Sequence, residues 1–479
     1  MKYLSSGFNI GIISERKMSK KNRLIMVIIC TVLFLIITPC IVLYSLGYRV
    51  DLVNGKVIET GGIYVRVVPY GANITINSGV KNKTGFFSNS VFVQNLLPKK
   101  HSVLIEKEGY HGYQKELLVK EREVTKLENV ILFKNNIAFD LMEKNIDYFS
   151  IAPNNNTLIK AKTTNQKIDF EITNLFNSQK ENITLPVKNA TILDSKWSND
   201  SKIYLLKTNN DYFILNTSEQ VPQFTKIKSL AGAEDINFNP ENSNELFFIK
   251  NQKLYSTFQD VELIKDVAGF LIEGQKVVWL SYDGFLYSYD LTSIKNQDSK
   301  PIDSEKNKIT KKIFPIKKNN QYKLISVSDM IFLQEDESLF LMNRESKIFE
   351  IFHNSFKNLK VSPDGQKIAF YDNYEIVYSI PSSINEKVPL KKFDNIIDEI
   401  YWLNNDYLVF KSGNEILISE IDARGNVNII NLSKINSFVN SKETVDLELQ
   451  VQRVFFNEQD KKLYILTEDN FFVSEKLLP

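Results

Sequence analysis

The sequence has 479 residues, of which 43% are hydrophobic and 24% charged, and this composition excludes a wholly disordered or collagenous chain. Lys and Arg total 59 against 57 for Asp and Glu, so the concentrated positive charge of nucleic-acid-binding proteins is missing and no nucleic-acid partner is expected. Three histidines and two cysteines leave little for a zinc site or a disulfide framework, and no metal or cofactor is expected.

The amino-terminal part predicts one membrane span. Residues 24–46 contain no charge, and a helix of this length reaches ~35 Å, enough to cross a hydrocarbon layer of ~30 Å. The tail of residues 1–23 is basic and contains Lys2, Arg16, Lys17, Lys20, Lys21 and Arg23 against only Glu15. The positive-inside rule therefore predicts a single-pass protein of the cytoplasmic membrane, with the amino terminus in the cytoplasm and the later domains outside. A cleaved signal peptide is the alternative, but the apolar stretch exceeds the ~7 to 15 residues of a signal core.

Both cysteines, Cys30 and Cys40, lie within this span. The part expected outside the cell membrane therefore contains no cysteine and no disulfide. Core packing must hold that part together, which a chain of this size can achieve.

The pattern changes after a juxtamembrane linker, residues 47–60. Short segments with alternating hydrophobicity, punctuated by Gly, Pro and Asn, run from Gly61 to Phe133. In the first of them the side chains of Ile63, Val65 and Val67 share one face. The pattern predicts a small all-β sandwich over residues 61–134.

Two motifs in this sandwich resemble the PEGA domain. The first consists of Pro69, Tyr70, Gly71 and Ala72. It joins two apolar strands, as does the Pro-Glu-Gly-Ala turn that names the family, with Tyr70 in place of the glutamate. The second is a Leu97-Pro98 turn followed by a strand and then Gly109-Tyr110. The resemblance implies a module of cell-surface and envelope proteins with a binding role and no catalytic activity; the alternative is a spacer that lifts a larger domain off the bilayer.

Residues 135–479 contain eight copies of one pattern, in which strands alternate with polar turns. The copies begin near residues 149, 195, 236, 270, 330, 359, 400 and 453. Their mean spacing of ~43 residues matches the ~40 to 50 residues of a four-stranded propeller blade. The pattern predicts a β-propeller of seven or eight blades, because the spacing is stretched between the copies at 270 and 330. The strand near residue 136 is expected to pair with the last copy and close the ring.

The sharpest copy contains the turn Ser362, Pro363, Asp364 and Gly365. Pro363 fixes φ, Asp364 bonds its own backbone and Gly365 takes a positive φ, which together reverse the chain. With the strand that follows, this turn resembles the repeat of TolB-like, also called WD40-like, propellers. The predicted fold class is therefore all-β, with one transmembrane helix, a PEGA-like sandwich and a propeller.

Other residues receive structural interpretations. Buried packing between blades is expected for Trp197, Trp279 and Trp402. Surface or turn positions are expected for His101, His111 and His353, whose spacing forms no metal-ligand pair. Residues 292–320 are rich in lysine, which favours a solvated loop, with contact to anionic lipid or wall polymer as the alternative.

The function predicted is binding, since no nucleophile elbow, Walker A loop or dinucleotide fingerprint occurs. The leading hypothesis is a membrane-anchored, extracytoplasmic binding or scaffold protein of the bacterial envelope. It would recognise a protein or an envelope polysaccharide through its propeller mouth or rim and its PEGA-like module. The ligand-binding residues are not assigned, and no catalytic residue is expected.

Two alternatives remain open. One is a carbohydrate-active hydrolase or lyase with carboxylates at the propeller mouth, although the pairs Glu335-Asp336 and Asp398-Glu399 sit where exposed acids are common. The other is a structural stalk and cap, which predicts a mouth filled by side chains.

Overall fold

The computed structural model describes residues 19–51, 55–77, 79–85, 88–291, 307–317, 319–432, 434–439, 443–448, 450–468 and 470–478. Two predictions fall partly outside this range: most of the basic tail, residues 1–18, and residues 292–306 and Lys318 of the lysine-rich segment. The described chain is mostly β, with one apolar helix near the amino terminus.

The predicted span forms helix α1, Lys20–Ser45. It begins four residues before the apolar stretch because Ser19 caps it, the amide of Asn22 donating to the Ser19 hydroxyl over 3.2 Å. Pro39 lies inside the helix, and none of its residues is buried. The helix is long and apolar enough to cross a membrane.

The chain divides into two compact units. The first comprises the residues up to Ile105 together with Glu116–Ile131, and the second comprises Glu106–Lys115 and Leu132–Pro479.

The hairpin that follows α1 consists of β1 (Tyr48–Asp51) and β2 (Lys56–Glu59). The next strands are β3 (Gly61–Val68), β4 (Asn73–Ile76), β5 (Val80–Lys83), β6 (Ser90–Leu96), β7 (Lys100–Glu106), β8 (Tyr113–Leu118) and β9 (Val124–Ile131). They form a three-stranded sheet of order β6-β3-β9 and a four-stranded sheet of order β5-β4-β7-β8. In β3, Ile63, Val65 and Val67 are fully buried and Arg66 is exposed, which confirms the predicted alternation.

His101 is buried, and its predicted surface position is wrong. The alternation of β7 places His101 on the same inner face as Val103 and Ile105. Its ring nitrogens have partners there, since Nε2 lies 2.8 Å from the carbonyl oxygen of Leu97 and Nδ1 contacts the side-chain amide of Asn77. An imidazole with both nitrogens satisfied can be buried at little cost.

The second unit begins its sheets with β10 (Phe139–Lys144). Sheet 1 contains β11 (Tyr148–Ile151), β12 (Thr157–Thr164), β13 (Lys167–Asn174) and β14 (Lys180–Thr184). Sheet 2 contains β15 (Ile192–Trp197), β16 (Ile203–Thr208), β17 (Tyr212–Asn216) and β18 (Phe224–Lys226). Sheet 3 contains β19 (Glu234–Asn239), β20 (Asn242–Lys250), β21 (Lys253–Ser256) and β22 (Gln259–Ile264). Sheet 4 contains β23 (Val267–Glu273), β24 (Lys276–Ser281) and β25 (Leu286–Asp290).

The later sheets repeat this plan. Sheet 5 contains β26 (Tyr322–Val327), β27 (Met330–Glu335), β28 (Ser338–Met342) and β29 (Phe349–His353). Sheet 6 contains β30 (Asn358–Val361), β31 (Ile368–Tyr371), β32 (Glu375–Ser379) and β33 (Val388–Lys392). Sheet 7 contains β34 (Ile397–Trp402), β35 (Tyr407–Ser412), β36 (Glu415–Glu420) and β37 (Ile429–Asn431). The remaining strands are β38 (Lys434–Val439), β39 (Glu443–Glu448), β40 (Val451–Asn457), β41 (Lys462–Thr467) and β42 (Asn470–Ser474), and the single-turn 3₁₀ helices are Lys228–Leu230 and Pro381–Ser383.

Sheets 1 to 7 are antiparallel meanders in chain order, whereas sheet 8 has the order β39-β38-β10-β42-β41-β40. Its β10 pairs antiparallel with β42, with Phe139 opposite Ser474 and Lys144 opposite Asn470. This confirms the pairing predicted for the strand near residue 136. Within the described residues the eight sequence copies correspond to the eight sheets, except that the copy at 330 begins on the second strand, β27, because β26 follows directly on the lysine-rich segment.

The described end of the lysine-rich segment, residues 307–317, covers the outer edge of sheet 4. The amide of Ile309 donates to the carbonyl of Leu286 over 2.7 Å, the Thr310 hydroxyl accepts from the Leu286 amide, and Phe314 is buried. Sheet 4 has only three strands, and apolar residues between the lysines cover the edge of β25 where the other sheets have a fourth strand. The prediction of a solvated loop is therefore wrong for this part.

Hydrophobic clusters join neighbouring sheets in the second unit. One cluster contains Phe170 of sheet 1 and Phe213 of sheet 2, the next Leu205 of sheet 2 and Phe248 of sheet 3, and a third Phe247 of sheet 3 and Trp279 of sheet 4. Further clusters contain Leu280 of sheet 4 and Leu333 of sheet 5, Phe332 of sheet 5 and Phe370 of sheet 6, and Tyr371 of sheet 6 and Trp402 of sheet 7. Between sheets 7 and 8 the rings of Tyr401 and Phe455 lie 5.3 Å apart, and between sheets 8 and 1 those of Phe471 and Phe149 lie 4.9 Å apart.

The three tryptophans are buried in these clusters, as predicted. The indole of Trp197 donates to the Ser150 hydroxyl of sheet 1 over 2.9 Å, and that of Trp402 donates to the Lys360 carbonyl of sheet 6 over 3.0 Å. Each therefore adds a polar link to its apolar contact with the preceding sheet.

Replacing Trp402 by alanine is expected to lower the free energy of unfolding of the second unit by about 3 to 5 kcal/mol, because it opens a cavity between sheets 6 and 7. Urea unfolding followed by near-ultraviolet circular dichroism measures this loss. The control is Val221→Ala at a side chain that is 78% exposed, where a change within about 0.5 kcal/mol is expected. An equally small change for Trp402→Ala would contradict the interpretation.

Candidate functional site

A polar cavity of about 760 Å³ lies in the second unit, lined by residues on or next to the first strands of sheets 2, 3, 4 and 5. Four carboxylates line it: Asp194, Glu234, Asp235 and Asp336. Four lysines line it as well: Lys196, Lys207, Lys323 and Lys357. Three tyrosines complete the larger side chains: Tyr212, Tyr282 and Tyr322. The formal charges balance, so the cavity has no strong preference for the sign of a ligand.

Asp235 occupies the most unusual position in the cavity. Its φ is 42°, a left-handed conformation for a non-glycine residue, and it lies where the register of β19 breaks between Glu234 and Asn237. The Oδ1 atom accepts a hydrogen bond from the side-chain amide of Asn237 over 3.1 Å. The Oδ2 atom is enclosed and has no hydrogen-bond partner among the described residues. Burial raises the pKa of Asp235, against the opposing effects of Lys196 and Lys323.

Lys196 lies beside Asp235, and its side chain is partly exposed to solvent. Its ammonium donates to the carbonyl of Ile236 over 3.0 Å and to the side-chain oxygen of Asn237 over 2.7 Å, which joins β15 to β19. Burial lowers the pKa of Lys196, although Asp235 opposes the shift. An acid and a base that are both destabilised in their charged forms, in one cavity, mark a candidate functional site.

Three further side chains line the cavity without being buried, and those of Glu234 and Lys323 are exposed to solvent. Within the ranges that the structure describes, Glu234, Lys323 and Tyr282 have no side-chain hydrogen bond or ion pair, and all three line the cavity. Burial raises the pKa of Tyr282, and the nearby Glu234 adds to this shift. With Asp235 Oδ2, these groups offer a ligand both donors and acceptors.

Glu335 is buried behind the cavity lining, contrary to the expectation of an exposed acid at a turn, and it positions two lining residues. It accepts hydrogen bonds from the Tyr322 hydroxyl over 2.9 Å and from the side-chain amide of Asn320 over 3.0 Å. Burial, with the Glu335 carboxylate beside it, raises the pKa of Tyr322 to about 12. Asp336 itself lines the cavity, and its carboxylate accepts from the Gln321 amide over 2.9 Å.

Two further sets of polar contacts lie on first strands, one between sheets 6 and 7 and one between sheets 8 and 1. Glu399 accepts from the ammonium of Lys360 over 2.9 Å and from the Tyr401 hydroxyl over 2.7 Å. Arg453 donates to the Phe149 carbonyl over 2.9 Å, and its guanidinium lies 5.0 Å from the Tyr148 ring. Asp398 and Glu399 do not line the cavity, so they do not join the other predicted acid pair there.

The turn Pro69 to Ala72 lies between β3 and β4. Gly71 has a φ of 79°, and the side chain of Tyr70 is exposed. Ala72 is fully buried; its amide donates to the Thr84 hydroxyl and its carbonyl accepts from the Thr84 amide, each over 3.0 Å. These contacts make Ala72 part of the local structure of the first unit.

The turn Ser362 to Gly365 joins β30 to β31. Asp364 accepts from the Ser362 hydroxyl over 2.6 Å and from the Gln366 amide over 3.0 Å, and Gly365 has a φ of 71°. The bond from Ser362 lowers the pKa of Asp364. The Asp364 amide donates to the side chain of Asn405 over 3.2 Å, which links sheet 6 to sheet 7. This turn does not line the cavity.

The sequence analysis did not find Asp235, Lys196 or Lys323. The available signal was a charged residue inside a first strand, as in Ser195-Lys196-Trp197. Alternation shows which residues share a face, but not that this face borders a cavity formed by four sheets. No group of three or more His, Cys, Asp or Glu side chains in the described ranges is arranged to hold a metal ion.

Residues 60–132 match the PEGA domain family. The match confirms the resemblance carried by the two motifs, and this segment is called the PEGA domain below. No curated protein sequence matches the chain.

Solved structures similar to this chain include one titled the mitotic checkpoint complex, with 10% identity, a TM-score of 0.37 and coverage of 69% of this chain and 86% of that one. Sqt1 from Chaetomium thermophilum has 8% identity and a TM-score of 0.43, over 71% of this chain and 98% of its own. The computationally designed Ika8 protein has 8% identity and a TM-score of 0.42, over 70% and 98%.

Asp235→Asn is expected to stabilise the second unit at pH 7. Because burial raises the folded-state pKa above the unfolded value of ~3.9, the ionised carboxylate disfavours folding at every pH above the folded-state pKa. The penalty disappears as the pH falls below the unfolded value, where both states are protonated.

Thermal unfolding at pH 7 and near pH 4 measures the difference between the two proteins, which should shrink on acidification. The matched control is Asp140→Asn at an exposed residue of β10, which should change neither midpoint. A destabilised Asp235→Asn protein at pH 7, or a gain independent of pH, would contradict this assignment.

Proposed function

We propose that the protein is a membrane-anchored, extracytoplasmic binding protein of the bacterial envelope, without catalytic activity, that recognises a protein or an envelope polysaccharide. The PEGA domain either contributes to binding or acts as a spacer. The observation that carries the proposal is the polar cavity of the second unit, with the enclosed and unpartnered Oδ2 atom of Asp235.

The second unit is, in this proposal, an eight-bladed propeller of the TolB-like type. Successive meanders with a contact between each sheet and the next support it, as do the ring contacts between sheets 8 and 1. The pairing of β10 with β42 also supports it, because a last blade built from both ends of the domain removes free sheet edges.

The size and lining of the cavity support binding. Ligand sites typically enclose ~300 to 1,000 Å³ and contain a few convergent polar groups, as this cavity does. A purely structural cap would leave its centre filled by side chains. Glu234, Lys323 and Tyr282 instead offer donors and acceptors that a ligand can reach in place of water.

Helix α1 anchors the protein in this proposal. Lys20, Lys21 and Arg23 lie at its amino-terminal end, which favours a cytoplasmic position for that end. At the other end, the guanidinium of Arg49 lies 3.5 Å over the Tyr44 ring, and such basic and aromatic pairs suit the membrane interface.

A hydrolase or lyase is the second candidate function, favoured by one observation. Burial raises the pKa of Asp235, as it does for general acids, and Asp194, Glu234 and Asp336 line the same cavity.

The orientation can be tested by cysteine labelling in intact cells. A membrane-impermeant maleimide is expected to label Ser218→Cys at an exposed turn of sheet 2, and to label Ser5→Cys only after permeabilisation. Cys30 and Cys40 serve as the shared background, because both lie in α1. The reverse pattern would exclude the proposed topology, and a soluble product lacking α1 would support a cleaved signal peptide.

Binding can be tested by cosedimentation of the full chain, in lipid nanodiscs, with isolated cell-wall and surface polysaccharide. Saturable binding that survives ~0.5 M salt is expected, because the balanced lining charges depend little on long-range attraction. Lys323→Met should weaken binding, and Lys188→Met, at an exposed position outside the cavity, should not.

Two other outcomes would change the proposal. Binding that is absent, or lost in salt, would move the proposal to a protein partner, to be identified by crosslinking in cells. Release of new reducing ends during the incubation would show that the protein cleaves the polymer, by hydrolysis or by elimination, and would contradict a purely binding function.

A further inference from the structure

We propose that the hairpin of β1 and β2 lies in the headgroup layer of the bilayer, with the side chains of Val50 and Val57 turned towards lipid. The inference rests on the anchoring role proposed for α1, because that helix brings the membrane within reach of the hairpin. It adds a second contact with lipid, made by the first unit after the helix has ended.

The hairpin is fixed to the carboxyl-terminal end of α1. The helix ends at Ser45 and β1 begins at Tyr48, so only two residues separate them. Where β2 ends, the amide of Thr60 donates to the Gly47 carbonyl over 3.0 Å and the Thr60 hydroxyl donates to the same carbonyl over 2.6 Å. Both strands of the hairpin therefore start from the point where the helix leaves the hydrocarbon layer.

The chain length keeps both valines close to that point. Val50 lies four residues after Leu46, and Val57 lies three residues before Thr60. Because a strand advances ~3.3 Å per residue, neither valine can lie more than ~13 Å from the residue that fixes its strand. The headgroup layer extends roughly 5 to 8 Å beyond the hydrocarbon core on each side. A hairpin that leans against the bilayer therefore keeps both side chains at headgroup depth.

The two valines form an exposed apolar pair. They lie directly opposite each other on β1 and β2, so their side chains share one face. Their exposed fractions are 59% for Val50 and 58% for Val57, and Leu46 at the end of the helix is 67% exposed. These three side chains continue the exposed apolar surface of α1 beyond its last turn.

The hairpin lacks a cover on this face. It is a two-stranded sheet with no third strand among the described residues, and such a hairpin is marginally stable in water unless another surface packs against it. On the opposite face Arg49 makes that kind of contact, since its guanidinium donates to the Tyr44 carbonyl over 2.8 Å and lies 3.5 Å over the Tyr44 ring. Lipid supplies the corresponding contact for the valine face.

The bilayer fits this face better than a second protein does. The helix holds the membrane beside the hairpin in every copy of the chain, and the apolar surface is continuous from α1 to the valine pair. Apolar side chains next to a tyrosine and an arginine are also the combination that suits the boundary between lipid and water.

The depth of the hairpin can be measured with a polarity-sensitive fluorophore on Val57→Cys, in the full chain with Cys30→Ser and Cys40→Ser, reconstituted in lipid nanodiscs. Iodide in the water phase is expected to quench this label severalfold less than the same label on Lys81→Cys, an exposed residue of β5. Lipid with a spin-labelled headgroup is expected to quench it severalfold more, because the side chain lies among the headgroups. Val50→Cys should behave as Val57→Cys does, since the two residues are paired.

Three results would overturn the inference. A Val57→Cys label that iodide reaches as easily as the Lys81→Cys label would show that the valine face is in water. Protection from iodide without quenching by the spin-labelled headgroups would show that protein covers this face. Both results leave the anchoring role of α1 standing, whereas a full chain that fails to float with lipid vesicles would overturn the anchor and the hairpin contact together.

Discussion

The antiparallel pairing of β10 with β42 is the constraint on which the second unit depends. It places β10, which precedes sheets 1 to 7 in the chain, beside the last strand, β42, in sheet 8. Every sheet then has a neighbour on both sides, and its apolar faces are buried against them. Charged side chains on these sheets are costly to bury unless they find partners.

Two kinds of charged side chain are found in these sheets. Glu399 accepts a hydrogen bond from Lys360 of sheet 6, Arg453 donates one to Phe149 of sheet 1, and Glu335 accepts one from Tyr322 of its own sheet. The pKa of Asp235 is raised and that of Lys196 is lowered, so the charged forms of both are disfavoured, and Asp235 also holds a left-handed backbone. Strain and unfavourable ionisation in one place are expected where a protein gives up stability for binding or chemistry.

Much of this fold could be predicted because its signals are local. The turn chemistry is an example: Ser198 donates to Asp200 over 2.6 Å as Ser362 donates to Asp364, so the same short motif reverses the chain in sheets 2 and 6. The alternation of hydrophobic and polar residues predicted β3, and the spacing of the repeated copies predicted the positions of the sheets. The errors were non-local. The burial of His101 and Glu335 depends on partners from other segments, and the cavity around Asp235 depends on how four sheets meet, which no short stretch of sequence encodes.

The closure of sheet 8 also fixes an order of events. During synthesis β10 is made before any of the sheets that follow it, and its partner β42 is among the last segments to appear. Until then β10 has no strand on that side and the new chain carries an open edge, the kind of surface that invites aggregation. No disulfide can hold the ends together in the meantime, because both cysteines lie in α1. Completion of the unit is therefore a late step that needs no oxidant, and a chain that stops short of β42 cannot reach it.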